Sequence, residues 1–385
     1  MNNLMLDEFR SMVKSFLEEE IIKKTNGLVP TRELILDVWR KAGKKGVFRS
    51  SIAEEYNGLA NKNYSLILLE ELGKHLMLDY PFWLQADVIS HLVNRYGTES
   101  QKERMLKDIS SGEKIGALAL TEKQGGSNFA KFECKVNKES NYYVLNGQKC
   151  FISNCTIADF YLVAANYVNN GANYLSLFIV DSKQEGVSVK GIKNEVAMKC
   201  LDFGEVTFNN VRIYENQILG QQPKDTRMGL MSALTIERFA CSVISYHMCE
   251  VLLEYILKWS QSREIEGGSL VDNQYIKYQI GQQYADNCIL KQYILEIKKK
   301  YIQGKKLSVS EIAIAKYKII NQLINLSDFA IKLYGARSFS TSFTNIDLVK
   351  IHNDALAQSI AGGTSEIMLK IISDSLIKNR SYSFA

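Results

Sequence analysis

The chain has 385 residues, 46% hydrophobic and 23% charged, the composition of a folded protein with room for two or three domains. A formal net charge of +5, from 47 basic and 42 acidic residues, lacks the concentrated Lys/Arg stripe of a nucleic-acid binder, and no run approaches the ~18 apolar residues of a membrane-spanning helix. Seven cysteines without a CxxC pair, and histidines only at 75, 91, 247 and 352, show no metal-ligand spacing, so no metal is expected.

The opening MNNLMLDEFR carries acids where a secretory signal needs an apolar run, so a cytoplasmic protein is expected. Residues 1–114 read as a helical domain. Met5, Phe9, Met12 and Phe16 recur at steps of three and four, Leu34, Val38 and Ala42 repeat the stripe, and Leu66, Leu69 and Leu72 begin another. Pro81 marks a break. Residues 115–224 read as a β domain. Asn146-Gly147 is expected as a hairpin turn between two short strands, FYLVAANY and YLSLFIVD as strands joined by a turn at 169–171, and 201–213 as a half-buried alternating strand. Residues 225–385 read as helical again. The blocks 229–262, 271–302 and 309–335 are long, apolar-striped and nearly free of proline, which suits a bundle and a subunit interface. Lys298-Lys299-Lys300 and Lys305-Lys306 read as a solvated helix end.

Three segments carry chemistry. In LALTEKQGGSNFA, residues 118–130, a Gly-Gly-Ser turn after an apolar strand offers backbone N–H groups and a hydroxyl to an anion such as a pyrophosphate, and is equally an ordinary turn. KCFIS ends at Ser153. In IAGGTSEIM, residues 360–368, the glycines permit a close approach and Thr364 and Ser365 can cap a helix.

With REIEG…Q at 263–274 and LYGARSF at 333–339, these segments stand in the order and spacing of the acyl-CoA dehydrogenase family, which the chain resembles over essentially its full length. The resemblance implies an α+β architecture: an N-terminal helical domain, a middle β-barrel or sandwich domain and a C-terminal four-helix bundle. It also implies noncovalent FAD, a carboxylate base for the α proton of an acyl thioester, and transfer of the β hydride to flavin N5. Thr121 and Ser153 are then expected to bond the isoalloxazine ring, with Ser153 where the family usually has Thr and Phe151 at the usual tryptophan position. Ser127 matches the serine of the turn near the pyrophosphate, and Thr364 the turn against FAD and the thioester. Arg263 and Gln274 match an element that reaches the FAD of a neighbouring subunit, which implies a homodimer or homotetramer. Glu266 at a phenylalanine position, Lys332 at a glutamine position and Ala336 at a glycine position depart from that element.

In many members the base precedes Gly-Thr of the terminal motif. Here that residue is Gly362, which can abstract nothing. Another branch carries the base just before an arginine on the first helix of the C-terminal domain, which is Glu237 in Ile236-Glu237-Arg238-Phe239. An apolar helix face should raise its pKa toward that of an effective base. The departures resemble divergent bacterial members of nonribosomal-peptide and polyketide pathways. The thioester handle is therefore either CoA or the phosphopantetheine arm of a carrier protein, and an electron acceptor must take up the electrons. A flavin-dependent monooxygenase or oxidase of the same fold, and a noncatalytic flavoprotein, stay open as alternatives.

Overall fold

Apolar residues at steps of three and four give each N-terminal segment one stripe to bury, and the stripes meet in an aromatic core. The computed structural model describes residues 3–25, 28–169, 172–193, 196–224 and 226–378. Helix α1 spans Asn3–Phe16, α2 Arg32–Lys44, α3 Lys62–Lys74, α4 Ser90–Tyr96 and α5 Glu99–Ser111. Trp39 of α2 stacks on Phe48 at 5.3 Å and meets Phe82 edge-on at 5.2 Å, all three buried. A π-helical turn, Leu84–Ile89, leads into α4. It places the buried Asp87 carboxylate among the hydroxyls of Ser50, Ser51 and Ser65, a fully donated site for a group that burial otherwise penalises.

Strands β1 (Gly116–Ala119), β2 (Lys135–Lys138), β3 (Tyr143–Ser153), β4 (Phe160–Asn169), β5 (Ala172–Asp181), β6 (Val187–Gly191) and β7 (Phe203–Ile213) form one mixed sheet. Its order is β1-β4-β2-β3-β7-β6, with β5 paired to β4. β1 and β2 run parallel to β4 and pair with its beginning and its end, Gly116 opposite Phe160 and Lys135 opposite Asn166. Alternate residues of these strands, among them Val136, Leu145, Tyr161, Phe178, Phe208 and Ile213, share one core.

The sheet corrects one expectation. Asn146-Gly147 is not a hairpin turn, because β3 runs straight through it. Gly147, at φ 143°, sits at a register shift against β7, and a Cβ there would lie 2.7 Å from the Cα of Cys134. Asn146 is instead tied across to Asn210, whose N–H donates to its Oδ1 at 2.8 Å. The turn into β3 falls earlier, where the Glu139 N–H donates to the Tyr142 carbonyl at 2.8 Å. β4 and β5 pair antiparallel as expected, while Asn170 and Gly171 of their connection lie outside the described residues.

Helices resume with α6 (Arg227–Ser262), α7 (Gln274–Ile302), α8 (Val309–Tyr334), α9 (Leu348–Ile360) and α10 (Ser365–Lys378). A two-stranded hairpin, β8 (Glu264–Ile265) and β9 (Gly268–Ser269), separates α6 from α7. Contrary to the sequence reading, one helix, α6, is long and apolar enough by composition to cross a membrane; 61% of its apolar stretch is buried inside the protein. Counting uninterrupted apolar runs missed it because such a stretch can hold up to two charged residues without spoiling the average. Lys298 and Lys300 also depart from the solvated end expected of them, pairing with Glu70 and, at 2.7 Å, with Glu311.

The chain divides into two compact units. The first comprises residues 1–68, 80–195 and 199–237, and the second 69–79, 196–198 and 238–385.

Candidate active site

In the first unit a buried ion pair organises the Gly-Gly-Ser turn. Glu122, 2% exposed, accepts from the Lys149 ammonium, 0% exposed, at 2.7 Å. Its carboxylate also takes the N–H groups of Glu133 at 2.6 Å and Cys134 at 3.1 Å, so neither oxygen is left without a donor. Lys149 donates in addition to the Leu120 carbonyl at 2.9 Å and lies 4.1 Å from the centre of the Phe132 ring. Burial pushes the Lys149 ammonium below its ordinary pKa, and the Glu122 charge opposes that shift.

This pair ties the residue before Glu122 to the residue after Lys149. The Cys150 N–H donates to the Thr121 carbonyl at 2.9 Å. Two residues of β3, Cys150 and Phe151, then stand against one of β7, because Lys149 pairs with Val206 but Ile152 with Gly204. That bulge holds Phe151 at φ 59°, a conformation costly for a non-glycine residue, and leaves its ring 56% exposed. Parity along β3 would otherwise have turned Phe151 inward. Ser153 follows, half-buried, opposite Phe203. Thr121 is half-buried too, and a Cβ on Gly126 would lie 3.0 Å from its Cγ2, so the glycine lets the turn close onto it. The exposed Ser127 comes next. Four of the residues picked from sequence, Thr121, Ser127, Phe151 and Ser153, thus meet on these joined segments. An exposed aromatic face beside two half-buried hydroxyls and a glycine turn fits a flat, hydrogen-bonding ring system with a phosphate tail.

Glu237 is half-buried on α6 and is the last residue that clusters with the first unit. Arg238 opens the next stretch of the second unit. It is buried, and its Nε donates to the Gly362 carbonyl at 2.8 Å. Lys316 of α8, also buried, donates to the carbonyls of Ala361 and, at 2.6 Å, of Gly363. Two cations therefore gather the carbonyls that leave the C-terminus of α9, where the helix dipole favours positive charge. Gly362 and Gly363 accept φ 63° and 103° there, and α10 starts at once. Thr364 caps it, accepting from the Ile367 N–H at 3.3 Å.

Arg263 and Gln274 flank the β8–β9 hairpin in the second unit, and both are exposed. Their bonds are local. The Arg263 carbonyl accepts the Leu270 N–H at 2.7 Å, and the Gln274 amide donates to the Tyr278 hydroxyl. Glu266 and Gly267, at φ 86°, form the hairpin tip.

Sequence reasoning missed Glu122, Lys149 and Lys316. A signal existed for Lys149, which shares the inward parity of Tyr143 and Leu145 on β3, so a cation there had to find a buried partner.

Sequence models of the N-terminal, middle and C-terminal domains of acyl-CoA dehydrogenases match residues 5–113, 117–211 and 229–377. The chain is 27% identical over 378 residues to the mitochondrial long-chain specific acyl-CoA dehydrogenase of Mus musculus, covering 97% of this chain and 86% of that protein. It is 25% identical over 383 residues to the 3-(aryl)acrylate reductase of Clostridium sporogenes, covering 96% and 97%. Among solved structures, the acyl-CoA dehydrogenase from Geobacillus kaustophilus matches with a TM-score of 0.87 at 25% identity, covering 97% of this chain and 98% of that one.

Proposed function

The chain belongs to the acyl-CoA dehydrogenase family, and from that premise we propose which of its residues carry the chemistry. The protein is an FAD-dependent enzyme that dehydrogenates an acyl thioester and passes the electrons on to an acceptor. FAD, when bound, supplies the hydride acceptor.

We assign the flavin contacts to Thr121, Phe151 and Ser153, with Ser127 toward the phosphates. One observation carries the assignment: the Cys150–Thr121 hydrogen bond and the bulge at Phe151 bring these residues together in one unit. Thr364, Arg263 and Gln274 complete the set by motif. Glu237 is assigned as the base, because Gly362 has no side chain at the alternative position and Glu237 is half-buried rather than solvated. Its carboxylate accepts the α proton of the acyl group. Negative charge then develops on the thioester carbonyl oxygen and has to be met by hydrogen-bond donors. Arg238 and Lys316 act as positioning residues, holding the Ala361–Gly363 carbonyls and thereby the start of α10.

The enzyme works as a homo-oligomer on a carrier-protein thioester in this reading. Support for the first is the set of exposed apolar residues that share one face of α7, Tyr275, Tyr278 and Ile289. Support for the second is the net charge of +5, which attracts an acidic carrier surface, an attraction that salt screens. Anaerobic titration of the FAD-loaded enzyme with acyl-CoAs and matching acyl-carrier proteins, at low and high salt, tests both function and handle. Bleaching of the flavin by acyl thioesters is expected, faster from the carrier at low salt. Absence of bleaching by either handle overturns the functional reading, and a CoA preference indifferent to salt overturns the carrier. Light scattering on the same sample should give a dimer or tetramer; a monomer at micromolar concentration contradicts the oligomer.

A further inference from the structure

We infer that Phe203 is a positioning residue of the flavin site: its ring holds the exposed ring of Phe151 in place for the cofactor. The inference rests on the reading of Phe151 as a flavin contact, and all the residues it uses belong to the first unit.

On β7, Val206 and Phe208 point into the core, while Phe203, Glu205 and Thr207 take the opposite face. Two of those three are polar. Phe203 is the aromatic exception, half-buried on a face the core does not use. It pairs directly with Ser153, and directly opposed residues of an antiparallel ladder project to one face. Phe203 therefore shares the face of Ser153, and the bulge brings Phe151 to it. The two phenyl centroids lie 5.9 Å apart with their planes tilted by 31°, within the range of a favourable ring pair. Among the described residues no other aromatic ring meets Phe151.

The backbone beneath Phe203 is fixed. Its carbonyl accepts the Ile192 N–H at 2.7 Å, and the Asp202 carbonyl accepts the Asn154 N–H at 2.8 Å. The Asp202 carboxylate takes the Thr156 N–H at 2.7 Å and the Thr156 hydroxyl besides. Phe151 has no comparable restraint on its side chain, because its ring is 56% exposed and burial holds it little. A ring free to change rotamer loses that freedom when a flat cofactor is laid against it, whereas a ring already held does not. Phe203 supplies the hold, and so acts on the flavin through Phe151.

Two measurements on the holoenzyme test this: first-order release of FAD, followed by the rise of free-flavin fluorescence on dilution, and visible circular dichroism of the bound flavin. Phe203→Leu keeps the bulk and removes the ring. It should release FAD roughly two- to tenfold faster than wild type, the weight of one aromatic pair, and weaken the dichroism. Phe203→Met gives the same reading should Phe203→Leu load no FAD. Phe203→Tyr, which keeps the ring, should stay within twofold of wild type. In the Phe151→Gly background, Phe203→Leu should change release by less than twofold, because the ring it holds is gone. Wild-type release and dichroism in Phe203→Leu, no rescue by Phe203→Tyr, or equal acceleration with and without Phe151 overturns the inference, while faster release from Phe151→Gly alone keeps the flavin reading. If Phe151→Gly alone leaves both measurements unchanged, the reading of Phe151 as a flavin contact fails and this inference with it.

Discussion

Glu122→Ala should be the most damaging small change in the β domain, because it removes one member of a buried pair and orphans two backbone amides. Lys149, with no solvent exposure, would keep the Leu120 carbonyl at 2.9 Å and the Phe132 ring at 4.1 Å but lose its counter-charge at 2.7 Å. Removing one partner of a buried ion pair costs about 3–5 kcal/mol. The Glu133 and Cys134 amides, bonded at 2.6 and 3.1 Å, hold the value toward the upper end, since an unmade buried hydrogen bond costs ~1–3 kcal/mol. Lys149→Met should cost less, because the carboxylate retains those two amides. Urea denaturation of the FAD-loaded protein measures the loss, and flavin absorbance after gel filtration measures the site. Retained FAD should fall with Glu122→Ala because the pair joins the strands that carry Thr121 and Phe151. A loss below about 1 kcal/mol with full flavin retention would refute the claim that this pair builds the turn.

Phe151→Gly should separate function from stability. The ring is 56% exposed at φ 59°, so stability should stay within about 1 kcal/mol while flavin retention drops; loss of the fold would mean the ring is structural. His91 predicts a pH dependence. Its pKa falls from 6.5 to about 4 on folding, so the unfolded state binds the extra proton between those values and stability declines as pH falls through that window. Between pH 7 and 4.5 wild type should lose roughly 1–3 kcal/mol more than His91→Gln, and parallel stability–pH curves would count against a half-buried imidazole held neutral by desolvation.

Much of the helical architecture was legible because a stripe repeats within one segment. The expected blocks 229–262, 271–302 and 309–335 emerged as Arg227–Ser262, Gln274–Ile302 and Val309–Tyr334. Asn146-Gly147 misled because its strong local turn preference was overridden by pairing with β7, which needed a glycine against Cys134 more than a reversal of the chain. Thr121, Phe151 and Ser153 were picked from motif, but their meeting through a bulge was not, since a bulge breaks the very alternation that sequence reading relies on. The Glu122–Lys149 pair, and the Arg238 and Lys316 bonds to the Ala361–Gly363 carbonyls, join residues 27 to 124 positions apart, and no periodicity records such partners.

Proton abstraction is assigned to Glu237, and stopped-flow flavin reduction by the preferred thioester tests that role most directly when wild type is compared with Glu237→Gln. The amide keeps the shape and hydrogen bonding of the carboxylate but removes its basicity. FAD content and thioester binding should be unchanged while the reduction rate falls by ~10²–10⁴-fold, the usual contribution of a positioned base. Reduction within twofold of wild type would show that another group takes the α proton.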